Sequence, residues 1–228
     1  MHRAFFIAGT DTDVGKTTIA AGLLHAARLA GLSTAAVKPV ASGCERTEQG
    51  LRNSDALALL AECSLALDYA TVNPFAFEPA IAPHIAAREA GVELTAARLI
   101  EAVQPVMARQ AGVTLVEGAG GWRVPLNARE YLSALPAALG LPVILVVGVR
   151  LGCINHALLS AEAIARDGLA LAGWVANIID PATSRLDDNL ATLAELLPAP
   201  CLGQVPRLAA PTARQVARYL TLPALQSV

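Results

Sequence analysis

One short stretch concentrates the residues that could do chemistry: Gly9-Thr10-Asp11-Thr12-Asp13-Val14-Gly15-Lys16-Thr17-Thr18. Glycines, a lysine and adjacent hydroxyls in this order suit the binding of a polyphosphate. Unpaired backbone N–H groups at a loop and helix start point at the anion. Lys16 can reach the β- and γ-phosphate oxygens, and the Thr17 hydroxyl can ligate Mg²⁺. Gly15 lets the backbone approach the phosphate with no Cβ in the way.

The flanking elements agree with that chemistry. Residues 4–8 form a short apolar run, and residues 18–29 read as an amphipathic helix. Strand, glycine loop, Gly-Lys-Thr and helix is the layout of a phosphate-binding P-loop. The spacing departs from the common form, because five residues rather than four separate Gly9 from Gly15.

Further chemistry-bearing residues fall at the ends of apolar runs. Residues 33–37 read as a strand that Pro39 terminates, leaving Lys38 at its carboxyl end, where open α/β sheets place ligands. A solvated strand-end lysine has the same pattern. Residues 113–117 read as a strand ending in Glu117, followed by Gly118-Ala119-Gly120-Gly121-Trp122. In a P-loop protein that position suits a carboxylate on the Mg²⁺ side, bound directly or through water; a solvent-facing glutamate is the alternative. Ser54 can cap a helix over residues 56–62, with Asp55 as a first-turn acid. His156 stands near another helix start, where it reads as a hydrogen-bonded bystander or a ligand.

Composition sets the frame. Of 228 residues, 54% are hydrophobic and only 16% charged, which favours a buried sheet covered by helices and argues against disorder. The net charge is −2 and the 17 Lys and Arg are scattered, so no nucleic-acid surface is expected. The four cysteines have no zinc-ligand spacing and suit a reducing cytoplasm. The N-terminal apolar run lacks the features of a signal peptide. Residues 131–149 carry no charge, but Pro136, Gly140, Pro142 and Gly148 divide them into a helix, a turn and a buried strand over residues 143–147 rather than a membrane span. Residues 68–84, rich in proline and aromatics, read as an ordered loop. Residues 94–109 read as a helix bent or broken at Pro105. Strands over 173–177 and 201–206 alternate with helices over 157–166 and 184–197. The expectation is a single domain over residues 1–228, an α/β doubly wound and mostly parallel sheet flanked by helices.

Taken together these stretches resemble the dethiobiotin synthetase family over almost the whole chain. The resemblance rests on residues 9–17, Lys38-Pro39-Val40-Ala41-Ser42-Gly43, Leu51-Arg52-Asn53-Ser54-Asp55 and residues 116–122. It extends to Gly152-Cys153-Ile154-Asn155-His156 and Gly173-Trp174-Val175-Ala176-Asn177. The longer glycine loop is that family's own variant. The resemblance implies an ATP-dependent ring closure in biotin synthesis. Diaminopelargonic acid and CO₂ form a carbamate, ATP phosphorylates it, and the second amine closes the cyclic urea.

The same resemblance assigns roles. It implies that Thr17, Asp55 and Glu117 surround Mg²⁺, and that Lys16 and Lys38 flank the γ-phosphate and the carbamate. It places Asp13, Val14, Gly15, Lys16, Thr17, Thr18, Glu117, Asn177 and Pro206 at the nucleotide. Thr12, Asp13, Lys38 and Ser42 would line the substrate side; the family often has Glu at the position of Asp13. It further implies a homodimer in which Gly152, Cys153, Ile154 and Asn155 take the substrate carboxylate in the partner's site. No membrane or nucleic-acid partner is implied. The segment Arg207-Leu208-Ala209-Ala210-Pro211 lacks an acidic residue that some relatives carry. P-loop switches of the ParA or MinD kind share the fold. They usually carry an extra lysine near the loop start, where this chain reads Gly9-Thr10-Asp11-Thr12. Amidotransferase-like synthetases of cobalamin synthesis are longer and carry a glutamine-hydrolysing domain.

Overall fold

The structure is a computed structural model that describes residues 2–223. Its elements in chain order are β1 (Arg3–Gly9), α1 (Lys16–Leu29), β2 (Thr34–Val37), β3 (Val40–Ala41), β4 (Glu45–Thr47) and β5 (Gly50–Arg52). Then come α2 (Ser54–Ala61), α3 (Tyr69–Val72), β6 (Phe75–Ala76), α4 (Pro83–Glu89), α5 (Ala96–Met107), β7 (Val113–Glu117) and α6 (Ala134–Leu139). The last third contains β8 (Val143–Val149), α7 (Cys153–Arg166), β9 (Leu171–Ile178), α8 (Leu186–Leu196), β10 (Cys201–Val205) and α9 (Ala213–Val216).

Six strands form the central sheet in the order β10-β9-β8-β1-β7-β2, every neighbouring pair parallel. Parallel neighbours need long crossovers, which the intervening helices supply. Those helices cover both faces. On β1, Phe6 and Ala8 pack into one cluster with α4, α5, α6, α7 and α8. Phe5 and Ile7 point the other way, into a cluster with α1, α2 and α9. All seven residues of β8 are buried, as a strand covered on both faces requires.

The local expectations meet four differences. Helix α1 begins at Lys16, two residues before the amphipathic pattern starts, because Gly15 ends the loop in a left-handed turn (φ 85°). Helix α2 is capped by Asn53 rather than Ser54: the Asn53 side chain accepts the Ala56 N–H at 3.2 Å. Pro105 does not break α5, which runs on to Met107. It sits in the last turn on the exposed side, where the carbonyl it frees can meet water. Residues 68–84 contain α3, β6 and the start of α4 rather than a plain loop, and β6 pairs in parallel with β3. A small antiparallel hairpin, β4–β5, had no sequence signal. No helix among the described residues is long and apolar enough to cross a membrane.

Candidate active site

Three adjacent strands set the site. β1, β7 and β2 are neighbours in the sheet, and their carboxyl ends carry the glycine loop, Glu117 and Lys38 respectively. Residues separated by up to a hundred positions therefore meet at one edge. Above them lies a cleft of about 860 Å³ lined by Thr12, Asp13, Gly15, Lys16, Thr17, Thr18, Lys38, Ser42 and Asp55.

The charged groups are paired inside the protein. The Lys38 ammonium donates to Asp55 Oδ2 at 2.7 Å and to Glu117 Oε1 at 2.5 Å. Burial alone would lower the Lys38 pKa, but the Glu117 and Asp55 carboxylates outweigh it and hold it above the ordinary lysine value. Burial would raise the Asp55 carboxyl, yet Lys38 holds it below its usual value, helped by the Thr17 hydroxyl. Glu117 is fully buried, so it is not the solvent-facing alternative. The Thr17 hydroxyl donates to Glu117 Oε1 at 2.7 Å. Lys16 is 7% exposed and donates to the Asp11 carbonyl at 2.9 Å, folded over the loop rather than solvated. Burial and then the like charge of Lys38 push its pKa down to about 8.

The loop backbone is set by a few contacts. At Gly15 an added Cβ would lie 2.2 Å from Asn177 Nδ2. Asn177 stands near the end of β9 and donates to the Val14 carbonyl at 2.8 Å. Asp13 also adopts a left-handed conformation (φ 57°), which aspartate tolerates better than most residues. Val14 itself is buried in the core, so its carbonyl rather than its side chain serves the loop. Pro206 directly follows Val205, which pairs with Asn177, and so lies at the same edge.

Two groups of expected residues behave differently. Gly152, Cys153, Ile154 and Asn155 start α7, outside the lining of this cleft. Gly152 is left-handed (φ 92°), no side chain caps the helix, and Cys153 is buried in the core. His156 is exposed and does not line the cleft.

Sequence reasoning missed other parts. The far wall of the cleft is Ala80, Ile81, Ala82 and Pro83 with Arg123, Val124 and Pro125. The Arg123 guanidinium grips Asp167 through two bonds of 2.7 Å, and the Trp122 indole N–H donates to the same carboxylate at 2.9 Å. Burial would raise Asp167, but the bonds from Arg123 and Trp122 hold it below its ordinary value. Beneath Lys38, the Asn73 amide donates to the Lys38 carbonyl at 2.8 Å, and the Lys38 N–H donates to the Val72 carbonyl at 2.8 Å. The only sequence signal for these was the density of Asn, Pro and aromatic residues after Asp68.

The site can hold a polyphosphate against Lys16 and the helix start. It also fits a hard cation. Glu117 Oε2 is buried without a hydrogen-bond partner among the described residues, while Glu117 Oε1 accepts from the Thr17 hydroxyl and Lys38 bridges Glu117 to the Asp55 carboxylate. All three are oxygen donors of the kind Mg²⁺ takes. Among the described residues no group of three or more His, Cys, Asp or Glu is placed to hold a metal ion, so the donor set here is two carboxylates and a hydroxyl.

Comparison with known proteins is consistent with this geometry. A family model described as an AAA domain matches residues 3–215. The chain is 78% identical over 219 residues to the ATP-dependent dethiobiotin synthetase BioD of Pseudomonas paraeruginosa, covering 96% of each chain. It is 60% identical over 220 residues to the enzyme of the same name from Cellvibrio japonicus, again covering 96% of each. Among solved structures, a ParA family ATPase from Chlorobium tepidum superposes with a TM-score of 0.56 at 13% identity, over 96% of this chain and 94% of that one. The septum site-determining protein MinD from Pyrococcus horikoshii, solved with Mg-ADP, gives 0.55 at 17% identity, over 95% and 85%. At those identities the two structures attest the fold alone. The curated relatives go further, and on their identity and coverage the chain belongs to the ATP-dependent dethiobiotin synthetase family.

Proposed function

We propose that this chain closes the ureido ring of dethiobiotin from 7,8-diaminononanoate and CO₂, converting ATP to ADP and phosphate. As a member of its family it is an ATP-dependent ligase of biotin biosynthesis. The observation that carries the site-level reading is the pair of lysines at one cleft, Lys16 over the loop and Lys38 between Asp55 and Glu117.

The steps follow from charge. One amine of the diamine adds to CO₂ and loses a proton, giving a carbamate. A carbamate oxygen attacks the γ-phosphorus, ADP leaves, and a carbamic–phosphoric anhydride forms. The second amine attacks the carbamoyl carbon, phosphate leaves, and the ring closes. Lys16 meets the β- and γ-phosphates, and Lys38 meets the carbamate and the transferring phosphoryl group. Both cations act where negative charge gathers in the transition state. Thr17, Asp55 and Glu117 would hold Mg²⁺, which neutralises phosphate charge when bound. Asp13, Val14, Gly15, Thr18, Asn177 and Pro206 form the nucleotide side. Thr12, Asp13 and Ser42 line the substrate side with Lys38.

The diamine also carries a carboxylate. Nothing in the substrate-side set of Thr12, Asp13, Ser42 and Lys38 is reserved for it. The start of α7 offers N–H groups and a positive dipole end to an anion. Gly152 to Asn155 lie outside the cleft of their own chain, and the neighbouring Leu151 (92%) and Leu159 (56%) are exposed. A homodimer that delivers this turn to the partner's cleft accounts for both facts. Four free thiols suit the reducing cytoplasm.

The test is phosphate release from ATP with and without 7,8-diaminononanoate plus bicarbonate. Release that depends on both supports the reading; diamine-independent hydrolysis favours a nucleotide switch.

A further inference from the structure

A tyrosine outside the proposed catalytic set joins two of its members. The Tyr69 hydroxyl accepts the Asn53 backbone N–H at 2.7 Å and donates to Asn73 Oδ1 at 3.0 Å. Asn73 in turn donates its amide to the Lys38 carbonyl at 2.8 Å. On the other side, Asn53 caps α2, whose first turn carries Asp55. Asn53, Asn73 and Lys38 are each about 95% buried or more, so water does not substitute for these bonds. The phenol has no free role left: both its donor and its acceptor capacity are used within the protein. Burial raises the Tyr69 pKa above its ordinary value, which keeps the proton that Asn73 accepts. Arg52 lies 4.3 Å over the ring and covers it.

We infer that Tyr69 is a positioning residue that fixes Lys38 relative to Asp55. The two side chains meet at 2.7 Å, yet they come from a strand end and a helix start that share no backbone pairing. Through Asn73 the phenol sets the backbone of Lys38; through Asn53 it sets the first turn of α2. Loss of one oxygen would leave both buried groups unmet and let the two elements move apart. The inference rests on the proposed roles of Lys38 and Asp55, and its consequence is felt in the chemical step rather than in nucleotide binding.

Tyr69→Phe is the test, because it removes the oxygen and keeps the ring beneath Arg52. The kcat of diamine-dependent phosphate release is expected to fall about tenfold. ADP affinity by calorimetry should stay within about twofold, since Lys16 and the loop are untouched. Mn²⁺, titrated by electron paramagnetic resonance with ADP present, should bind about fivefold more weakly because Asp55 is loosened. Asn73→Ala breaks the same connection one bond further on, so the double variant should fall no lower than the worse single. Unchanged kcat and Mn²⁺ affinity with a lowered unfolding midpoint would make Tyr69 a fold residue only and overturn the inference. Multiplicative losses in the double variant would do the same. If Asn73→Ala does not fold, Tyr69→Phe decides by itself. A wild-type protein without diamine dependence would overturn the functional reading instead, and Mn²⁺ affinity would still report on the link.

Discussion

Glu117 lies wholly inside the protein and Lys38 Nζ stands 2.5 Å from its Oε1, so the strand ends of β7 and β2 share one buried ion pair. Such a pair needs both members. Removing one partner from a buried pair typically costs about 3–5 kcal/mol, because the remaining charge has no counterpart.

Lys38→Met should therefore do two things. Unfolding free energy should drop by about 3 kcal/mol in urea titration, and turnover should collapse while ATP affinity moves little. Equal losses in turnover and affinity would place Lys38 on the nucleotide instead.

Asp55→Asn and Glu117→Gln should each raise the Mg²⁺ concentration needed for half-maximal activity. Both face Lys38 and would face one ion, so the double variant should depart strongly from additivity. Activity measured against Mg²⁺ for both singles and the double decides; unmoved curves remove these residues from the metal.

Lys16 supplies a pH signature. Its pKa of about 8 lies below the ordinary 10.5, so the folded state binds fewer protons than the unfolded chain between those values. Stability from this group therefore rises as pH climbs from about 8 to 10.5. ATP affinity should do the reverse, weakening above pH 8 as the free ammonium loses its proton. Lys16→Gln should lower turnover on the order of 10²–10³-fold, keep the fold, and flatten the affinity profile. A wild-type profile in that variant would refute the loop assignment. Lys38 and Asp55 titrate elsewhere. The raised Lys38 pKa keeps its contribution below about 10.5, lost as pH rises through the folded value; the lowered Asp55 pKa keeps its contribution above about 3.8, lost as pH falls through the folded value.

Gly15→Ala should abolish nucleotide binding. The left-handed backbone costs about 1–2 kcal/mol for a residue with a Cβ, and the new methyl would meet Asn177 Nδ2 at 2.2 Å. Adding Asn177→Ala removes the clash but also removes Asn177 from the nucleotide side, so ATP affinity by calorimetry should drop less from Asn177→Ala to the double variant than from wild type to Gly15→Ala. Equal drops would mean that the strain alone decides.

Mixing tests the shared site. Lys16→Gln and a variant with the 152–155 turn disrupted should each be inactive alone. Mixed dimers should regain activity at one of their two sites. No recovery, with heterodimers shown to form, would mean that each chain builds its own site.

The meeting of Lys16, Thr17, Lys38 and Glu117 at one edge of the sheet was readable because these residues sit at fixed offsets from strong local signals. Lys16 and Thr17 follow a glycine turn, while Lys38 and Glu117 end apolar strands. The supporting network was not readable in the same way. Asn53 and Ser54 are both good caps, and Asn53 is the one whose N–H is also held by a tertiary bond to Tyr69. Asn73 acts on Lys38 across 35 positions, and no periodicity encodes that meeting. Pro105 does not break α5 because it falls in the last turn on the exposed side, which the residue order alone does not reveal. Arg123 and Asp167 meet across 44 positions, joining a loop to the end of α7, and their separation carried no motif.

The strand order has a consequence during synthesis of the chain. β1 emerges first, yet its two neighbours are β7 and β8, which begin at Val113 and Val143. Until residue 117 has left the ribosome, both edges of an apolar strand wait without partners. Pairings of such long sequence separation are slow to form and leave aggregation-prone edges exposed meanwhile. The edges of β1 are therefore both covered only once residue 149 is free of the exit tunnel, and a pause placed after β8 would let the central strand pair before the rest follows.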